Sequence, residues 1–183
     1  MQSSYCPSPY RYTRRVTREV MVGNVGVGGA NPIRVQSMLT SDTRDTDACV
    51  KEALELAAAG CEIIRLTAQT KAYAANLENI SRELRAAGCH VPLVADIHFD
   101  YRLALTAIDM GVDALRLNPG NIGREENVKK VVERAKKHNI PIRIGINGGS
   151  LDKKYANRDD LTLAQKMVES AMEHIKILED NDF

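Results

Sequence analysis

The chain has 183 residues, of which 44% are hydrophobic and 27% are charged, and its formal net charge at pH 7 is +1. This length and composition are typical of one globular domain with a sizeable core, and they argue against a disordered chain. The small charge and the low aromatic content argue against binding to nucleic acid or to an anionic membrane surface. Because the sequence shows neither a signal peptide nor an apolar run of about 20 residues, we expect a cytoplasmic protein.

The N-terminal part predicts an irregular lead-in followed by a β-hairpin. Residues 1–18 are polar and carry two prolines, which favours irregular structure. Residues 19–27 alternate between apolar and other residues around Gly23–Asn24, a pair that is typical of a tight turn. The glycines that follow do not form the G-x-G-x-x-G pattern and precede no helix, which disfavours a nucleotide-binding loop.

From residue 33 onward, strand-length apolar segments alternate with helical patterns. The strand candidates begin at Ile33, Glu62, Leu93, Ala114 and Ile142. Each is rich in Ile, Val or Leu, which favours strands. The helical patterns cover residues 45–59, 71–87, 101–110, 125–138 and 161–179, and three of them stop at a glycine, the common residue after a helix C-terminus. This alternation predicts a parallel sheet with connecting helices.

An open doubly wound sheet and a closed (β/α)8 barrel both contain such repeats. The strands of a doubly wound sheet are covered on both faces and should be apolar throughout. Here each strand has one apolar and one polar face, as in the last one, which reads Ile142, Arg143, Ile144, Gly145, Ile146 and Asn147. We therefore predict an α/β fold in which residues 19–183 form the N-terminal part of a TIM-type (β/α)8 barrel, with about five βα units after the hairpin.

Three arginines occupy the polar face near the C-terminal ends of different strands: Arg65, Arg116 and Arg143. Burying an unpaired charge costs several kcal/mol, so each arginine needs an anionic partner. Asp96 is the obvious carboxylate on this face, and the surplus of positive charge predicts an external anion. Arginine binds phosphate through paired hydrogen bonds, and barrel enzymes keep their active sites at these strand ends. The alternative is that the arginines point outward and are solvated or paired with helix residues, which their shared face disfavours.

Other polar residues extend this candidate site. His98 lies two residues after Asp96 on the same face, and these two residues are the candidates for a catalytic role. Asn118 and Asn147 follow two of the arginines, and Gln36 lies on the polar face of the first barrel strand. The glycine-rich segments 118–123 and 145–150 allow backbone N–H groups to approach a phosphate, although glycine is equally a turn residue.

The cysteines predict no metal site in this chain. Cys6, Cys49, Cys61 and Cys89 show no C-x-x-C spacing, which argues against a zinc ribbon and against a redox dithiol. We expect the last three to be small buried hydrophobic residues and Cys6 to be an exposed thiol.

Six segments together resemble the family of 4-hydroxy-3-methylbut-2-enyl diphosphate synthases. They are VMVGNV at 20–25, PIRVQSMLTSDT at 32–43, CEIIRLT at 61–67, VADIHF at 94–99, LRLNPGNIG at 115–123 and IRIGINGGS at 142–150. They occur in the family's order and extend the match over nearly the whole chain. The lead-in around Cys6 resembles the longer branch of the family, which carries an extra inserted domain.

The resemblance implies an iron–sulfur oxidoreductase of non-mevalonate (MEP) isoprenoid biosynthesis. In that reaction 2-C-methyl-D-erythritol 2,4-cyclodiphosphate is reductively converted to 4-hydroxy-3-methylbut-2-enyl diphosphate. Ferredoxin or flavodoxin supplies the electrons through a [4Fe–4S] cluster, and the full-length enzyme is expected to be a homodimer. The resemblance also implies that Arg65, Arg116 and Arg143 hold the diphosphate. It further implies that the pocket is lined by Asp96, His98, Asn118 and Asn147.

Parts of the family's machinery are expected to lie outside this chain. The cluster ligands of the family belong to a separate C-terminal domain, and the family also uses a lysine on the sixth strand. We therefore expect the chain to be the N-terminal barrel portion of a longer enzyme and to be inactive by itself. The alternatives are another phosphate-binding barrel enzyme, such as a pterin synthase or an aldolase, and a non-catalytic remnant. An aldolase would need a strand-end lysine for a Schiff base, and no strand here offers one.

Overall fold

The computed structural model of the chain describes residues 10, 15–98, 100–117, 125–151 and 153–183. Its first elements are the hairpin strands β1 (Val20–Val22) and β2 (Val25–Val27), which pair antiparallel as the sequence predicts. A parallel sheet follows, formed by β3 (Gln36–Met38), β4 (Ile63–Thr67), β5 (Leu93–Ile97), β6 (Ala114–Leu117) and β7 (Ile142–Ile144). These strands lie side by side in chain order. A doubly wound sheet reverses its strand order at a switch point, and no reversal occurs among the described strands.

Four described helices connect the parallel strands, and two more follow the last described strand. They are α1 (Thr46–Ala58), α2 (Lys71–Ala86), α3 (Tyr101–Asp109), α4 (Glu125–His138), α5 (Lys153–Ala156) and α6 (Leu163–Glu179). Four of them begin at a side chain that accepts a backbone N–H of the first turn: Asp45, Thr70, Asp100 and Thr162. The short helix α5 and a 3-10 turn at Gly148–Ser150 were not predicted from the sequence. In the described residues, no helix combines the length and the apolar character needed to cross a membrane.

The two faces of the sheet have different environments. One face packs against the helices and forms the main core, with fully buried side chains such as Ile64, Leu66, Leu93, Leu115 and Val131. The other face has a small apolar cluster at its N-terminal end, formed by Ile63, Val94 and Ala114. Val22 and Val25 of the hairpin pack on this cluster, so the hairpin closes the lower end of the inner face.

A contact between the two edge strands shows that the sheet is curled. Arg143 Nη1 on β7 donates a hydrogen bond to Gln36 Oε1 on β3 at 3.0 Å. In a flat sheet these strands, four spacings apart, would lie about 19 Å from each other. The inner face therefore encloses a lumen, and the predicted partial barrel is confirmed.

The edge strands are shorter than predicted. The first barrel strand was expected from Ile33, yet β3 begins at Gln36, and Ile33 and Val35 are 76% and 57% exposed. Backbone pairing nevertheless reaches beyond both assigned strands. Glu62 N donates to Val35 O, and Gly145 N donates to Leu117 O, each at 2.8 Å. Edge strands are supported on one side only, which explains why regular geometry ends before the pairing does.

Candidate functional site

The strand register brings the polar residues together at the C-terminal end of the lumen. Thr67 aligns with Asp96, Asp96 aligns with Arg116, and Arg116 aligns with Arg143. Arg65 lies two residues before Thr67 and therefore shares its face. Four neighbouring strands thus direct these side chains into one space.

The carboxylate of Asp96 is the centre of this cluster, and its side chain is only 4% exposed. Arg116 Nη1 donates to Asp96 Oδ1 at 3.1 Å, and Arg65 Nε lies 3.5 Å from Oδ2. His98 Nε2 lies 3.4 Å from Oδ1. Asp96 therefore holds two guanidinium groups and one imidazole around a single point.

Positive charge exceeds negative charge in this part of the lumen. Two guanidinium groups, those of Arg65 and Arg116, contact the single carboxylate of Asp96, and the third, that of Arg143, binds the neutral amide of Gln36. Partial burial and the nearby charges of Arg65 and Arg116 lower the pKa of Arg143, while Asp96 opposes this shift. Arginine stays protonated at neutral pH in proteins. The buried Nε of Arg65 has no hydrogen-bond acceptor among the described residues. The arrangement is suited to binding an anion.

The structure places most of the predicted site residues together. Arg65, Asp96, His98 and Arg116 form the cluster, and Gln36 joins it through Arg143. Asn147 is exposed in the segment between β7 and the following 3-10 turn. The predictions for Asn118, for the segment 118–123 and for Cys6 concern positions that lie outside the described residues.

Sequence reasoning missed two residues that shape the site. Met38 follows Gln36 on the same face of β3, and its Sδ lies 3.2 Å from Arg65 Nη2. Met38 could have been predicted from the sequence, because residues two positions apart on a strand share a face. Thr43 is buried in the loop after β3, and its hydroxyl donates to Thr67 O at 3.0 Å. This contact depends on the path of a loop, which no local pattern reveals.

The described cysteines do not provide a metal site. Cys49 Sγ donates to Asp42 O at 3.3 Å, and Cys61 Sγ donates to Ile63 O at 3.1 Å. Burial, together with Glu52 and neighbouring aspartates, raises the pKa of Cys49 to about 11, so its thiol stays protonated. No cluster of three or more His, Cys, Asp or Glu side chains that could hold a metal ion occurs within the described ranges. These residues do not fit an iron–sulfur cluster.

Comparison with known proteins matches nearly the whole chain. The family model described as GcpE TIM-barrel domain matches residues 17–183. Proteins named 4-hydroxy-3-methylbut-2-en-1-yl diphosphate synthase (flavodoxin) are similar to it. The one from Akkermansia muciniphila is 61% identical over 100% of this chain and 34% of its own length. The one from Listeria monocytogenes serotype 4b is 52% identical over 94% of this chain and 46% of its own length. The chain thus spans less than half the length of these relatives.

A solved structure supports the fold. The HPPK-DHPS of Plasmodium falciparum, crystallised with STZ-DHP, superimposes with a TM-score of 0.62 over 90% of this chain and 32% of that protein. The sequences are 15% identical, so the likeness concerns the fold alone.

Proposed function

This chain belongs to the GcpE TIM-barrel domain family, and we propose that it is the substrate-binding barrel part of a 4-hydroxy-3-methylbut-2-en-1-yl diphosphate synthase. The proposed reaction is the reductive conversion of 2-C-methyl-D-erythritol 2,4-cyclodiphosphate in the MEP pathway. One observation of the structure carries the proposal: Arg65 and Arg116 contact a single buried carboxylate at the C-terminal ends of the strands, and Arg143 adds a third positive charge near them. The names of the relatives give a diphosphate as the product, and the cyclodiphosphate substrate comes from the sequence resemblance.

The proposed role of the arginines follows from their surplus of positive charge. A cyclic diphosphate presents several anionic oxygens, which accept hydrogen bonds from guanidinium groups. The Nε of Arg65 is buried beside Asp96 Oδ2 at 3.5 Å, and Arg143 faces a neutral amide, so one carboxylate is shared by the charges of three arginines. Asp96 offsets part of the positive charge and fixes the direction of Arg65 and Arg116. In this proposal the three arginines hold the diphosphate, and Asp96 orients Arg65 and Arg116.

The remaining site residues are proposed to complete the pocket. His98 lies beside Asp96, and a carboxylate next to an imidazole orients the ring. We propose this pair as the candidates for proton transfer to the substrate. Gln36 reaches the site through Arg143. Asn118 and Asn147 are assigned to the pocket on the sequence resemblance.

The proposed reduction requires groups beyond the described residues. The described cysteines do not fit a [4Fe–4S] cluster, and we propose that a C-terminal domain of the complete enzyme holds it. The chain covers 34% to 46% of the length of these relatives, and the remaining length is sufficient for such a domain. The proposal includes flavodoxin or ferredoxin as electron donor and a homodimeric complete enzyme. We also propose that residues 1–183 alone do not convert the cyclodiphosphate.

Neutralising single arginines in the complete enzyme tests the proposal. We expect Arg116→Leu and Arg143→Leu each to raise the dissociation constant of the cyclodiphosphate about 10- to 100-fold, because a hydrogen bond to a charged group contributes roughly 1.5–3 kcal/mol. Lysine at these positions should restore affinity only in part, since it keeps the charge and loses the paired donors. Isothermal titration calorimetry under anaerobic conditions measures binding separately from turnover.

Arg82 provides the matched control. Its side chain lies on the outside of α2, is 61% exposed and contacts only the adjacent Glu83 among the described residues. We expect Arg82→Leu to bind the cyclodiphosphate like the unmodified enzyme. Equal dissociation constants for this control and for the Arg65, Arg116 and Arg143 variants would place the substrate site elsewhere.

A further inference from the structure

Gly145 directly follows β7 and contacts the guanidinium group of Arg116. Arg116 Nη2 donates to Gly145 O at 3.3 Å, while Nη1 of the same side chain donates to Asp96. Gly145 N donates to Leu117 O at 2.8 Å, so this residue continues the backbone pairing of the sheet. Its backbone is therefore fixed relative to β6, the strand that carries Arg116.

The guanidinium group occupies the space that a side chain at position 145 would need. A Cβ built on Gly145 would lie 2.1 Å from Nε, 2.4 Å from Nη2 and 2.5 Å from Cζ of Arg116. The backbone of Gly145 does not have a positive φ, so its conformation is one that other residues adopt. Space for Arg116, and not backbone conformation, explains the glycine at this position.

We propose that Gly145 is a positioning residue for the anion site, because its missing side chain lets Arg116 lie between Asp96 and β7. The inference rests on the proposed function, in which Arg116 holds the diphosphate. The atoms that would collide with a Cβ belong to the end of a flexible side chain, and they can move while the sheet stays in place. Alanine at this position therefore displaces Arg116 from Asp96 without unfolding the barrel.

A double-mutant cycle in the complete enzyme tests this inference. The four proteins are the unmodified enzyme, Gly145→Ala, Arg116→Leu and the double variant. We expect Gly145→Ala to raise the dissociation constant of the cyclodiphosphate about 10- to 100-fold, as Arg116→Leu does. Leucine lacks the atoms that collide with the new Cβ. In the Arg116→Leu background, Gly145→Ala should therefore change the dissociation constant less than about threefold, which is the non-additivity of residues that act through one another.

Thermal unfolding of the same four proteins separates positioning from a role in the fold. A small shift of Tm for Gly145→Ala, together with the non-additive binding effect, supports the inference. If Gly145→Ala binds the cyclodiphosphate with unchanged affinity while Arg116→Leu binds it more weakly, the inference is overturned and the proposed function is not affected. Additive effects on affinity overturn it as well, as does a large loss of Tm that Arg116→Leu does not relieve. Unchanged affinity of Arg116→Leu overturns both this inference and the proposed arginine site.

Discussion

At the scale of single residues, Asp96 and Glu52 organise the C-terminal ends of the strands in different ways. Asp96 accepts from arginine side chains in the lumen, whereas Glu52 on α1 holds the loop that follows β3. Its carboxylate accepts from Thr40 N, Thr40 Oγ1 and Ser41 N at 2.8 to 2.9 Å. Partial burial acts to raise the pKa of Glu52, but the hydrogen bonds from Ser41 and Thr40 outweigh it and lower the pKa to about 2.

This shift predicts a pH-dependent contribution of Glu52 to stability. The pKa in the folded protein lies below the ordinary value of 4.5, so the ionised carboxylate stabilises the fold above that pH. The contribution is lost as the pH falls from 4.5 towards 2. We expect Glu52→Gln to lower the free energy of unfolding at neutral pH by about 1 kcal/mol, a difference that shrinks on acidification. Urea unfolding as a function of pH measures it.

Glu55 on the exposed side of the same helix is the control. We expect Glu55→Gln to have little effect at any pH in this range. A difference between Glu52→Gln and the unmodified protein that stays constant down to the acid limit would contradict the proposed role of the ionised carboxylate.

At the scale of elements, a buried polar network ties the loop after β3 to the strand β4 and the helix α2. Thr43 is 1% exposed, and its hydroxyl donates to Thr67 O at the end of β4. Asn76 on α2 donates to Thr43 O at 2.8 Å and to Thr46 Oγ1 at 3.0 Å. A helix on the outside of the barrel thereby fixes the loop beside the lumen.

Removing the amide of Asn76 tests this network. Asn76→Ala leaves the buried carbonyl of Thr43 without this donor, which costs about 1–3 kcal/mol of stability. We expect a lower Tm and faster amide hydrogen exchange in the loop after β3. The control Glu78→Ala changes an exposed side chain on the same helix and should alter neither quantity. If the loop in Asn76→Ala exchanges as slowly as the loop in the unmodified protein, Asn76 does not hold it.

At the scale of the whole molecule, the described sheet has two edges and uncovered apolar surface. β3 and β7 each pair with one neighbour among the described strands. On α6, Leu163, Val168 and Met172 are 56% to 61% exposed. Unpaired strand edges and exposed apolar patches favour association with other chains.

We therefore expect the chain of 183 residues to self-associate in solution. Sedimentation velocity at increasing protein concentration should show species larger than the monomer. The double variant Val168→Lys/Met172→Lys should weaken association, because it introduces charge into the apolar patch. Glu179→Lys, at an exposed position near the end of the same helix, is the control. A single monomeric species at all concentrations would contradict this expectation.

The sequence by itself determined the order and type of the main elements. Alternation within the strands showed which face is polar, and glycines marked the ends of three helices, because side-chain direction and backbone freedom are local properties. The same alternation placed Arg65, Arg116 and Arg143 on the polar face. The pattern gave no signal for α5, which is only one turn long.

Only the tertiary structure decided which of these residues meet. Gln36 and Arg143 are 107 positions apart and touch because the sheet curls. Arg116 reaches Gly145 because the register of β6 and β7 aligns Arg116 with Arg143, two residues before Gly145. Thr43 contacts Thr67 through the path of a loop. Such contacts depend on register, curvature and loop path, which arise when all the strands pack together and which no single segment encodes.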